Sequence, residues 1–164
     1  LFNSTFIAPF QNALLLGLAL PAHLALQHRT PFTVADAALA ALFLALLAAE
    51  TLADQQQWEF HLQKAAAREA GEPLTPPFLT TGLFRYSRHP NYFCEISLWW
   101  VIYAFSVSAG APLWNVTALG AVVLTLLFQG STQMTEQITL SKYPAYADYQ
   151  RRTSRLIPMP PRAA

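Results

Sequence analysis

The apolar positions of this chain fall into long runs. Residues 6–27 are mostly apolar and interrupted by Pro21, and residues 34–53 are rich in alanine and leucine. Residues 93–108 and 112–129 follow as a closely spaced pair, reversed at Gly110-Ala111-Pro112. A helix needs about 20 mostly apolar residues to cross a bilayer. The pattern therefore predicts an all-α integral membrane helical bundle of about four transmembrane helices, the last two forming a hairpin. Thr33 is placed to cap the second helix, with Asp36 three residues on as in a capping box.

Two of the runs continue into polar helix. Glu50, Asp54, Gln57, His61, Lys64 and Arg68 recur at steps of four, three, four, three and four, one stripe at helical period. Lys64 and Arg68 read as a solvated charged face. Glu50 and Asp54 close an apolar span, where acids tend to face a cavity or a partner. Gln129, Gln133 and Glu136 extend the last run in the same way, and Tyr143, Tyr146 and Tyr149 then recur at threes. Gly71, Pro73, Pro76 and Pro77 break the second helix, and the proline-rich tail 157–161 cannot be regular helix. A single membrane domain, 1–164, is expected in five segments. These are a first span and turn (1–33), a second span with polar extension (34–69), a loop (70–92), a helical hairpin (93–135), and a C-terminal helix and tail (136–164).

Composition strengthens the membrane reading. Of 164 residues, 54% are hydrophobic and 12% charged, against about 25% charged in soluble domains. The net charge of +1 gives no bulk attraction to nucleic acid, and the lone Cys94 excludes an internal disulfide. The first residue is Leu1 rather than Met, so the chain is expected to be processed, trimmed or incomplete, a targeting segment being one candidate for what precedes it. Four spans put Lys64, Arg68, Arg85, Arg88, Lys142, Arg151, Arg152, Arg155 and Arg162 on one side and Arg29 alone on the other, a strong positive-inside signal. The C-terminus then lies on the positive-inside, cytosolic or matrix face, with both polar extensions. Asn3-Ser4-Thr5 and Asn115-Val116-Thr117 match a glycosylation pattern that is common by chance. The four histidines show no metal-ligand spacing, and no phosphate-binding glycine loop is present.

One stretch gathers the candidate chemistry: Thr80-Thr81-Gly82-Leu83-Phe84-Arg85-Tyr86-Ser87-Arg88-His89-Pro90-Asn91-Tyr92-Phe93-Cys94-Glu95. Pro90 suits the first position of a helix, with His89 as cap. Asn91 and Glu95 then share a face, and Tyr92 lies three residues before Glu95. Arg85, Arg88 and His89 precede a helix N-terminus, where free N–H groups favour an anion.

Residues 82–95 closely resemble the signature of the steroid 5-alpha-reductase C-terminal domain family and its sterol-reductase and isoprenylcysteine carboxyl methyltransferase relatives. Residues 50–60 resemble that family's Asp–Gln–Phe helix end. Glu136, Leu140, Lys142-Tyr143, Tyr146, Tyr149, Arg152-Thr153 and Ile157-Pro158 resemble its C-terminal pattern. The resemblance implies a cofactor pocket for NADPH in the reductase branch, or S-adenosylmethionine in the methyltransferase branch. By match, Arg85, Arg88 and His89 would bind phosphate or ribose, and Asn91 and Glu95 the nicotinamide end, with Tyr92 in the same cofactor-binding set. Asp54 and Gln57 would close the pocket, and Glu136, Tyr146, Tyr149 and Arg152 would form its far wall. Cys94 stands where the family usually has glycine, and Ser131 and Met134 where sterol-reductase relatives carry arginine. By the same resemblance, the additional N-terminal helices that contribute the substrate cavity in family reductases are expected to be absent or reduced here.

Three functions follow as expectations. The first is a membrane-embedded NADPH-dependent reductase of a lipid or steroid enone, with its catalytic residue unassigned. The second is a non-catalytic membrane subunit of a larger complex, retaining the fold. The third is an S-adenosylmethionine-dependent membrane methyltransferase. The expected partners are the lipid bilayer, a lipid or sterol-like substrate and, in the second case, other protein subunits. The expected membrane is the endoplasmic reticulum or the mitochondrial inner membrane.

Overall fold

A computed structural model describes residues 3–28 and 30–162, with side chains from Thr5 onward. Arg29 and the side chains of Asn3 and Ser4 lie outside the described residues, and with them the opposing arm of the basic-residue count and the first glycosylation pattern. The described chain is helical and contains no strand. A π-helical turn, Asn3–Ile7, leads into α1 (Ala8–His28). Then come α2 (Val34–Glu69), a 3-10 turn (Gly82–Arg85), α3 (Pro90–Ser108), α4 (Ala118–Lys142) and α5 (Tyr146–Arg152). The predicted capping box starts α2: the Thr33 N–H donates to Asp36 Oδ2 at 2.7 Å, and the Asp36 N–H to Thr33 Oγ1 at 3.2 Å. Pro90 opens α3 as expected, its fixed φ and missing N–H costing nothing at that position.

The helices form two compact units. The first comprises Leu1–Leu46 and Ile96–Phe128. Here Gly17 and Gly120 let two helices touch backbone to backbone: a Cβ on Gly120 would come within 2.6 Å of the Gly17 carbonyl oxygen. Small residues allow such close approach. Trp100 Nε1 donates to Thr125 Oγ1 at 3.1 Å, and Tyr103 donates to the Leu113 carbonyl. Asn115 is committed to the turn before α4, donating to the Pro112 carbonyl and accepting from the Thr117 N–H. Leu18, Leu98, Val101, Ala121 and Leu124 are buried, while Leu15, Leu16, Leu26, Phe32, Val34 and Leu44 are well exposed. Two helical stretches, Thr5–His28 and Val34–Glu69, are long and apolar enough to cross a membrane, and 11% and 0% of their most apolar windows are buried within the protein. Their apolar surface thus faces outward.

The second unit comprises Leu47–Glu95 and Gln129–Ala164. Its centre is the signature loop, clasped by the C-terminal strap. Ser87 and Ser154 form an isolated parallel bridge. The Arg88 and His89 N–H groups donate to the Ser154 and Arg155 carbonyls at 2.8 and 3.1 Å. Ser87 is fully buried, and its hydroxyl donates to the Leu156 carbonyl at 2.7 Å. Further along, the Met159 N–H reaches the Tyr86 carbonyl and the Arg162 N–H the Arg152 carbonyl, both at 2.9 Å. The irregular tail therefore satisfies its backbone against the signature loop.

α2 secures the other side of that loop. Gln56 Oε1 accepts the Leu83 N–H at 2.9 Å. Gly82 lies at φ +61°, and a Cβ there would collide with the Gln56 side chain. The solvated reading of Lys64 is corrected: its ammonium donates to the Pro77 carbonyl at 2.6 Å and to the Tyr143 hydroxyl at 3.2 Å. Helical period placed Lys64 on a polar face, but the returning loop covers that face. Arg68, one turn on, is exposed as expected.

Candidate functional site

The second unit is built around a buried ion pair. Glu136 projects from α4 beyond its apolar run and is 5% exposed. Arg88 grips it with two parallel bonds, Nε to Oε1 at 2.6 Å and Nη2 to Oε2 at 3.0 Å. His89 Nε2 lies 3.0 Å from Oε1, and Gln150 Nε2 donates to Oε2 at 2.9 Å. Arg88 Nη1 also donates to the Gln150 carbonyl at 2.9 Å and to the Thr153 carbonyl. Burial alone would raise the Glu136 pKa; the bonds from His89, Arg88 and Gln150, with the charge of Arg88, overcome it and hold the carboxyl at about 2. The bidentate fork is the geometry arginine favours for a carboxylate.

The consequence for the expected phosphate site is specific. Arg88 has its donors engaged within the protein, joining the signature loop, α4 and α5. Arg85 and Arg152 are exposed, with no side-chain partner among the described residues. They line a cavity of about 430 Å³ with Phe78, Thr80, Asp148, Tyr149 and Thr153. A second cavity, of about 260 Å³, is lined by Gln57, Phe78, Arg88, His89, Asn91, Tyr92, Thr135, Tyr146 and Tyr149, among others. Phe78 and Tyr149 are walls of both. Phe78 stacks on Tyr149 at a centroid distance of 5.8 Å and meets Tyr146 edge-on at 5.0 Å. His89 stacks on Tyr92 at 5.6 Å. Tyr149 donates its hydroxyl to the Phe84 carbonyl. Burial pushes the Tyr146 and Tyr149 phenols above their ordinary range, so both are neutral hydrogen-bonding groups.

Of the twelve sequence-selected residues, Gln57, Arg88, His89, Asn91, Tyr92, Tyr146 and Tyr149 line the smaller cavity and Arg85, Arg152 and Tyr149 the larger. Glu136 holds Arg88 and His89 of the smaller cavity, and Arg88 in turn donates to the carbonyl of Thr153, which lines the larger. Asp54 lies at the edge, accepting from Asn91 Nδ2 at 3.0 Å, which leaves the Asn91 carbonyl oxygen as an acceptor. Glu95 is among the lining residues of neither cavity; its carboxyl lies against Glu50, one turn before Asp54 on α2. Sequence reasoning did not single out Gln56, Phe78, Ser87 or Gln150. Gln56 sits in a run of three glutamines, where nothing marks the central one. Phe78 lies in a proline-rich loop whose folding back the sequence pattern does not reveal.

Comparison with known proteins bears on the whole chain. The chain is 35% identical, over 172 aligned positions, to uncharacterized protein C594.04c of Schizosaccharomyces pombe. The match covers 96% of the chain but 49% of the relative, so the chain spans about half that protein's length. No solved structure matches. The family described as "Protein of unknown function (DUF1295)" matches residues 2–153. Since that match takes in α1 through α5 and every lining residue of the paired cavities except Pro161, the chain belongs to the DUF1295 family.

Proposed function

We propose that the protein is a membrane-embedded, NADPH-dependent reductase of a lipid or steroid enone, related to the steroid 5-alpha-reductase family. The observation carrying this reading is the pair of cavities sharing Phe78 and Tyr149: one offers amide, imidazole and phenol groups, the other two unpaired guanidiniums. That division suits an extended dinucleotide. Arg85 and Arg152 would hold the 2′-phosphate, for which arginine forks are fitted. The Asn91 carbonyl oxygen, oriented by Asp54, would accept from the carboxamide. Tyr92, stacked on His89, and the neutral Tyr146 would line the ring end. When bound, NADPH supplies the hydride, and the protein supplies orientation and electrostatics. In this reading four helices span the membrane of the endoplasmic reticulum or mitochondrion, with the C-terminus on the positively charged side.

The test is nucleotide binding in nanodiscs, by fluorescence. A charged hydrogen bond contributes about 1.5–3 kcal/mol, so Arg85→Gln and Arg152→Gln should each weaken NADPH binding about tenfold or more while leaving NADH binding unchanged. Equal affinity of the wild type for NADPH and NADH would refute the phosphate assignment. S-adenosylhomocysteine binding in place of NADPH would favour the methyltransferase alternative. One observation favours a non-catalytic subunit of a larger complex as the second reading: Arg88, the central arginine of the signature, is fully employed in tying the unit together. Absence of binding by all three ligands would support it.

A further inference from the structure

A third hollow lies on the C-terminal strap, sharing Arg152 and Thr153 with the larger cavity and Arg88 with the smaller. It measures about 300 Å³ and is lined by Arg88, Arg151, Arg152, Arg155 and Arg162, with Met159 and Pro160 on its rim. Two of these charges are balanced: Arg88 by Glu136 and Arg151 by Asp148. Arg155 donates to the neutral Gln129 amide oxygen. Arg152, Arg155 and Arg162 thus face the hollow without a carboxylate among the described residues. Like charges gathered this way repel unless an anion joins them.

Two further features say which anion. Gln129 is the residue at which the apolar run of α4 ends, so Arg155 reaches the depth where apolar helix gives way to polar. The strap also carries Ile157 and Met159 at 64% and 53% exposure. It is held by the Met159 and Arg162 backbone bonds, so these apolar side chains are presented outward on an anchored segment. Exposed apolar groups beside arginines are the composition of a membrane-interface contact.

The geometry points to a headgroup site: Arg155 and Arg162, with Arg152, bind the phosphate of an anionic phospholipid while Ile157 and Met159 enter the acyl boundary. This inference rests on the membrane reading of α1 and α2; it shares Arg152 with the proposed nucleotide site, whereas Arg155 and Arg162, on which the test is made, line only this hollow.

The test uses the full chain in a neutral detergent, titrated with short-chain phosphatidylglycerol or phosphatidylcholine and followed by thermal melting. Phosphatidylglycerol should raise the Tm saturably and phosphatidylcholine should not. Arg155→Gln/Arg162→Gln should weaken the apparent affinity at least tenfold. Because Arg155 has a structural contact, the exposed Arg162→Gln serves alone as the control for folding and should still weaken binding severalfold. Ile157→Ser/Met159→Ser should weaken the lipid response and leave inorganic phosphate binding unchanged. Equal response to both lipids, or unchanged affinity in the arginine variants, would overturn the site. Displacement of phosphatidylglycerol by an equal concentration of inorganic phosphate would overturn the lipid assignment in favour of a free anion.

Discussion

Glu136→Gln tests the most interior charge in the second unit. The carboxylate is 5% exposed and receives bonds from Arg88, His89 and Gln150. Removing its charge leaves the Arg88 guanidinium buried without a counterion, a change that costs about 3–5 kcal/mol in comparable buried pairs. An independent route gives a similar size. The folded-state pKa is about 2, against an ordinary value of 4.5, and each unit of difference corresponds to about 1.4 kcal/mol. The ionised form is therefore favoured in the fold by about 3 kcal/mol. Because the folded pKa is depressed, this stabilisation is complete above pH about 4.5 and is lost as pH falls toward about 2. The assay is unfolding of wild type and variant in the same detergent, as a function of pH. The stability difference should be constant from pH 7 to about 5 and shrink below that. Adding Arg88→Met to Glu136→Gln should cost less than the sum of the two single changes, since the pair acts as one unit. A loss under about 1 kcal/mol at pH 7, or a difference that does not shrink on acidification, would refute the assignment of Glu136 as an ionised, internally paired group.

Two further outcomes follow from the loop that brings the signature to α2. Gly82→Ala places a Cβ at φ +61° against Gln56; a loss of about 1–2 kcal/mol is expected in the same unfolding assay, and Gln56→Ala in the same chain should relieve only the steric part. Lys64→Met removes the donor to the Pro77 carbonyl and the Tyr143 hydroxyl; limited proteolysis should then cut residues 70–81 several times faster than in wild type, and an unchanged rate would show that these bonds do not secure the loop.

The sequence by itself determined the helices, because their causes are local. Apolar runs of spanning length, the Thr33–Asp36 box and Pro90 at a helix start act within a few residues of where they stand, and α2 and α3 begin where those signals predict. It also identified the residues that meet in the second unit. Arg88 and His89 in the signature and Glu136 in the C-terminal pattern all fall in the matched motifs, and they are in direct contact. What each does there was decided by tertiary structure. Three arginines stand within the signature and the C-terminal pattern, at positions 85, 88 and 152, and nothing in their spacing tells them apart. Chain return over nearly fifty residues brings Glu136 to Arg88, engaging that fork and leaving Arg85 and Arg152 open to an anion. The same long-range return turns Lys64 from a surface charge into a loop anchor and makes Gln56, rather than either neighbouring glutamine, the acceptor for Leu83. Helix formation is a sum of short-range preferences, whereas the role of a buried charge depends on which partner desolvates it, and that partner is supplied by distant chain.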